Sequence, residues 1–104
     1  MRRVSKVAVM LALAGATGTV FAAGDASAGK AKFATCAGCH GPAGVSSNPM
    51  WPNLAGQKEG YVIKQLKDFR AGNRTNPLMS PMAKPLSDSD IENLAAYVSS
   101  LPCK

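Results

Sequence analysis

The chain has 104 residues, with 12 Lys and Arg against 6 Asp and Glu, one His and three Cys. That length accommodates one small domain and excludes a multidomain enzyme. The formal charge of +6 is not concentrated in the basic stripe that a nucleic-acid binder needs, because the Lys and Arg residues beyond the start are dispersed among acids and Gly/Pro-rich loops.

The first element is a leader. Met1-Arg2-Arg3-Val4-Ser5-Lys6 is cationic, Val7-Ala8-Val9-Met10-Leu11-Ala12-Leu13-Ala14 is apolar, and small residues surround Val20-Phe21-Ala22-Ala23. This is the layout of a secretory signal peptide over 1–22, cut after Ala22. A spanning helix, the alternative, wants about 20 apolar residues, and Gly15, Thr17, Gly18 and Thr19 interrupt this run. No Cys follows it to carry a lipid, so no stable membrane anchor is expected. The expected mature domain, 23–104, has about 82 residues and a net charge of about +3, and its expected location is the periplasm.

A domain of this size builds only a thin core and needs a staple such as disulfides, a metal or a cofactor. A first helix is expected from near Asp25 or Ser27 through Lys30 and Phe33 toward Cys36. Cys36-Ala37-Gly38-Cys39-His40 then presents the Cys-x-x-Cys-His signature of c-type haem attachment. Two thiols two residues apart on one helical turn can each add to a porphyrin vinyl group, and the adjacent imidazole is thereby tethered and oriented toward the iron. A thioredoxin-like redox pair would want a preceding strand, which is lacking here. A zinc site would need four ligands, with Cys103 the only other soft one.

The stretch from Gly41 to Gln57 is rich in Gly, Pro, Ser and Asn and reads as a loop, long unless it covers a cofactor. Trp51, Pro52 and Leu54 supply its apolar atoms, for haem packing or for orienting His40. A middle helix is expected over Glu59 to Ala71, with Tyr61, Val62, Gln65, Leu66 and Phe69 on one face and Gly72 as its stop. Asn76-Pro77-Leu78-Met79-Ser80-Pro81-Met82-Ala83-Lys84-Pro85 reads as a Pro-stiffened loop that excludes helix and central strand. With His40 on one face of the iron, the remaining soft ligands are Met50, Met79 and Met82. Met50 lies only ten residues past His40, so Met79 and Met82 fit the other face better. The last helix begins at the N-cap Ser87, has Asp88 and Asp90 in its first turn, and repeats Ile91, Leu94, Ala95, Val98 and Leu101 until Pro102. No segment alternates with period two, so the fold class is all-α, around a cofactor.

These residues resemble the class I c-type cytochromes, of the small bacterial periplasmic monohaem kind and of single domains of their dihaem relatives. The resemblance runs from Gly29 and Phe33 through Cys36-Ala37-Gly38-Cys39-His40, Pro52-Asn53-Leu54-Ala55-Gly56-Gln57 and Tyr61 to Gly72. It continues through the Met loop and Leu86-Ser87-Asp88-Ser89-Asp90-Ile91 to Leu94-Ala95-Ala96-Tyr97. It implies three to five helices around one covalent haem c, with thioethers to Cys36 and Cys39 and His40 as proximal iron ligand. The distal ligand it implies is Met79, seven residues before Leu86, with Met82 as runner-up. It also implies that the Pro52 carbonyl accepts a hydrogen bond from the His40 ring, and that Gly29 and Phe33 cross Leu94 and Tyr97.

A His/Met-ligated haem has no open coordination position and changes little on taking up an electron. The expected function is therefore a periplasmic single-electron carrier rather than an enzyme. The partners that the resemblance implies are a cytochrome bc complex, a terminal oxidase or a periplasmic reductase. The alternatives are a haem enzyme or gas sensor with a labile distal ligand, or a dedicated electron-transfer subunit of one dehydrogenase. Lys58, Lys64, Lys67 and Lys84 read either as a docking ring or as solvated helix faces, and Arg74 either neutralises a haem propionate or faces solvent. Cys103, left over once the haem thiols are used, is a free terminal thiol or the link of a disulfide dimer.

Overall fold

The computed structural model describes residues 24–103; the leader expected over 1–22 lies outside them. Five helices occur in the order α1 (Ala26–Phe33), α2 (Ala37–His40), α3 (Glu59–Ala71), α4 (Met79–Ala83) and α5 (Asp88–Ser100), with no strand among the described residues.

The helix starts follow from side chains that satisfy otherwise orphaned N–H groups. The Asp25 carboxylate accepts from Ser27 N at 2.8 Å and from Ala28 N at 3.3 Å. Ser87 and Asp90 form a reciprocal box: Ser87 Oγ accepts from Asp90 N, and the Asp90 carboxylate accepts from Ser87 N, both at 3.0 Å. Gly72 ends α3 at φ 82°, a left-handed position that suits glycine.

The helices pack because α1 lies directly against α5. A Cβ at Gly29 would run into the Asn93 carbonyl and the Tyr97 side chain. Above this contact the Phe33 and Tyr97 rings meet at 5.3 Å between centroids, tilted by 60°. Asp25 N donates to Asn93 Oδ1 at 2.8 Å, and Lys32 pairs with Asp90 at 3.5 Å. Phe33, Val62, Leu94, Ala95 and Val98 form the buried cluster joining α1, α3 and α5; burial of each larger side chain stabilises by about 1.5–3 kcal/mol. Arg70 fastens α3 to the start of α5, donating to the Leu86 carbonyl at 2.9 Å and to Asp88 Oδ1 at 2.5 Å. Lys64 pairs with Asp68 on the exposed face of α3 at 2.6 Å, the kind of surface pair that contributes little.

One expectation is corrected. The Pro-rich segment 76–85 contains helix α4, although it reads as a loop from which helix is excluded. Pro81 is the third residue of α4, in the first turn, where an N–H has no intrahelical acceptor and a φ fixed near the helical value is no obstacle. Pro85 stands just past the end of the helix, after the C-cap Lys84, and having no N–H it cannot extend the helical ladder.

Two outcomes are expected from this packing. Gly29→Ala forces α1 off α5 and lowers the urea unfolding free energy by about 1–3 kcal/mol. The Asp88 carboxyl is held low chiefly by its hydrogen bond from Arg70, and that of Asp90 chiefly by the Ser87 backbone N–H. A depressed carboxylate pKa stabilises the fold at neutral pH, and this stabilisation disappears as pH falls through the folded-state value. The urea midpoint advantage of the wild type over an Asp88→Asn/Asp90→Asn variant therefore persists at pH 7 and shrinks below about pH 4.

Candidate functional site

The crossing of α1 on α5 leaves a cavity of about 660 Å³ beside the core, within the range of roughly 300–1,000 Å³ usual for ligand and cofactor sites. Phe33, Val62, Leu94 and Val98 from the buried core border it, as do Cys36, Cys39 and His40 from the end of α1 and from α2. Trp51, Pro52 and Leu54 from the loop, and Met79, Met82 and Ala83 from α4, also line it. Every site residue expected from the sequence is thus brought to one cavity. Met50 joins only at its rim, 81% exposed, whereas Met79 is half-buried and Met82 is 43% exposed.

His40 is buried, at 6% exposure, and its Nδ1 lies 2.8 Å from the Pro52 carbonyl oxygen. A carbonyl only accepts, so Nδ1 donates and carries the ring proton, which leaves the Nε2 lone pair free. No hydrogen bond engages Nε2 within the described residues.

The loop that delivers this carbonyl is tied down by its own backbone. The Gly44 carbonyl accepts from Leu54 N at 2.8 Å and from Ala55 N at 3.0 Å, and Gly56 N donates to the Val98 carbonyl at 2.9 Å. Gly41 sits at φ 82°, where a Cβ would strike the Val45 carbonyl. Ser46 links the loop to the Cys-x-x-Cys-His turn: its hydroxyl donates to the Cys39 carbonyl at 3.2 Å, and its N–H donates to Asn53 Oδ1 at 2.7 Å.

No disulfide joins the three cysteines. Burial pushes the half-buried Cys36 thiol up from its ordinary value, against the lowering influence of the Thr35 hydroxyl. Cys103 is absent from the cavity lining and packs on Gly56, its thiol donating to the Ala55 carbonyl at 3.1 Å. The leftover thiol is thus exposed and seated against the loop.

Three further residues shape the site. Arg74 is exposed yet borders the cavity, with Nη1 donating to Gln65 Oε1 at 2.7 Å and its guanidinium carbon 4.5 Å from the centre of the Phe69 ring. No carboxylate among the described residues pairs with it. Gln65 reads only as part of a helix face. Asn76 caps the turn before Met79, and its signal was the Asn-Pro pair, a turn initiator.

The donor set suits haem c. Two thiols at the required spacing, an imidazole with Nε2 free, and an apolar cavity bordered by a thioether are what a covalent porphyrin and its iron would use. Four large apolar side chains left exposed, Met50, Tyr61, Leu78 and Met82, all border the same cavity.

Comparison with known proteins agrees. The sequence model described as Cytochrome c matches residues 26–102. Cytochrome c4 of Stutzerimonas stutzeri is 48% identical over 106 residues, covering 92% of this chain and 50% of its own length. The thiosulfate dehydrogenase electron acceptor of Thiomonas intermedia is 44% identical over 103 residues, covering 97% of this chain and 45% of its own length. A crystal structure of reduced recombinant cytochrome c4 from Pseudomonas stutzeri aligns with a TM-score of 0.74 at 47% identity, over 77% of this chain and 47% of that one. The chain spans about half the length of these relatives. With the family match covering all five helices and a solved cytochrome c4 structure aligning over 77% of the chain, the chain belongs to the cytochrome c family and has the class I cytochrome c fold.

Proposed function

We propose that this chain is a single-electron carrier that holds one haem c through Cys36 and Cys39, with His40 and Met79 as its iron ligands. The observation that carries this reading is the convergence of both cysteines, of His40 with its Nδ1 held by the Pro52 carbonyl, and of the half-buried Met79 on one largely apolar cavity. Haem c, when bound, supplies a ferric/ferrous couple that accepts one electron and returns it. The one Cys-x-x-Cys-His in 104 residues supports one haem per chain.

The chain's own residues set the conditions for that couple. The Pro52 carbonyl holds the Nδ1 proton of His40 and keeps Nε2 directed as a ligand. Phe33, Val62, Leu94 and Val98 exclude water from the interior side, and Trp51 and Leu54 cover the His40 side. Arg74, steadied by Gln65 and Phe69, is the cation placed to hold a haem propionate. The partners are redox proteins that exchange single electrons, such as a cytochrome bc complex, a terminal oxidase or a periplasmic reductase. Export by the leader over 1–22 places the domain 23–104 in the periplasm. No helix among the described residues is long and apolar enough to cross a membrane.

A second reading, the dedicated acceptor of one dehydrogenase, is favoured by the Thiomonas intermedia relative, whose name is that of such an acceptor. Stopped-flow reduction separates the two: a free carrier is reduced at comparable rates by several unrelated donors, a dedicated acceptor by one.

The ligand assignment has a spectroscopic outcome. In the ferric holoprotein the long-wavelength sulfur-to-iron absorption band disappears in Met79→Ala and persists in Met82→Ala; the reverse pattern transfers the ligand to Met82. The reduced wild type refuses carbon monoxide, whereas rapid stoichiometric binding would indicate an enzyme or a gas sensor.

A further inference from the structure

Met79 reaches the cavity on a stretch of chain that has almost nothing to hold it by burial. Residues 71–78 are exposed throughout, and the next fully buried anchor is Ala83, four residues beyond Met79. The backbone ladder is thin as well, since Pro77 and Pro81 contribute no N–H.

We infer that Asn76 is a positioning residue that locks the turn bearing Met79 and so keeps the thioether at the iron; this rests on the proposed role of Met79 as second ligand. The polar groups of Asn76 close on the turn that follows it. Its side-chain Oδ1 accepts from Leu78 N at 2.9 Å and from Met79 N at 3.0 Å. Its carbonyl accepts from Ser80 N at 3.0 Å, and its own N–H donates to Ser80 Oγ at 3.0 Å.

This is the bonding of an Asx turn that leads into α4, with Pro77 inside the turn, where its fixed φ and missing N–H do no harm. The proline also biases Asn76 toward the extended backbone from which such a turn starts. Both N–H groups that Oδ1 receives lie in the turn, and one of them belongs to Met79 itself. An exogenous ligand that displaces the thioether needs Met79 to swing away, which strains or breaks this turn. The hydrogen bonds of Asn76 therefore oppose ligand exchange directly, in a segment where apolar packing cannot.

The test is titration of the ferric holoprotein with imidazole, followed by loss of the long-wavelength sulfur-to-iron band. Asn76→Ala binds imidazole about 3- to 30-fold more tightly than the wild type, the range expected from loss of an Asn side chain that accepts from backbone N–H groups. Asn76→Asp, which keeps an acceptor oxygen at the same place, restores an affinity within about 2-fold of the wild type. Ser80→Ala removes only the reciprocal bond and gives a smaller tightening, and it carries the test if Asn76→Ala yields no holoprotein. Equal affinity in wild type, Asn76→Ala and Ser80→Ala overturns the inference, as does a tightening that Asn76→Asp fails to reverse. Met79→Ala serves as the separate control: persistence of the band in that variant refutes the ligand assignment, whereas its loss leaves only the role of Asn76 at stake.

Discussion

The close approach of α1 to α5 at Gly29 is the contact on which the remaining placements depend. A side chain there would collide with the Asn93 carbonyl, so the two helices touch backbone to backbone only because the residue is glycine. Phe33, one turn further along, then reaches Tyr97, Leu94 and Val98, and the chain leaves α1 toward Cys36 beside the core. The Cys-x-x-Cys-His turn is therefore aimed by a helix crossing some way from the motif itself.

The two segments proposed to carry the iron ligands are held by different physics. On the His40 side the restraint is backbone hydrogen bonding within a loop kinked at glycines of positive φ, and the imidazole is fixed by a carbonyl. On the Met79 side it is an Asn-Pro turn with little burial, followed by a five-residue helix. Between them lies a cavity whose apolar lining has no protein atoms to meet. A group that fills it supplies the burial this short chain lacks and stabilises the folded state by linkage, since only the folded chain assembles the site.

Most of the fold was legible because helix signals here are local. Asp25, Ser87 with Asp90, and Gly72 are side-chain or glycine devices that act within a few residues of where they stand, and the limits of α3 fall where Gly72 and the apolar spacing put them. The Cys-x-x-Cys-His pattern is legible for the same reason, being confined to five consecutive residues. What escaped was either positional or long-range. Pro81 excludes a helix interior but not a first turn, and only the register of α4 distinguishes the two. The pairing of Arg74 with Gln65 and Phe69, the grip of Arg70 on Leu86 and Asp88, and the seat of Cys103 on Gly56 depend on distant chain segments meeting. No local pattern encodes them.

The position of α5 connects the two sides of the site. At its C-terminal end the Val98 carbonyl receives Gly56 N, and the residues that follow put the Cys103 thiol on Ala55, so this end grips the loop that orients His40. At its N-terminal end Asp88 is held by Arg70, which also holds the Leu86 carbonyl just past α4, so this end governs where the Met79 segment leaves the chain's surface. Thirteen residues of helix at about 1.5 Å each make a strut of about 20 Å, stiffened along its length by Ile91, Leu94, Ala95 and Val98 in the core. The separation of the His40 and Met79 segments is thus set by a rigid helix rather than by whatever lies between them. For a proposed carrier of single electrons this matters, because ligands anchored to the two ends of one strut keep their places when the charge between them changes.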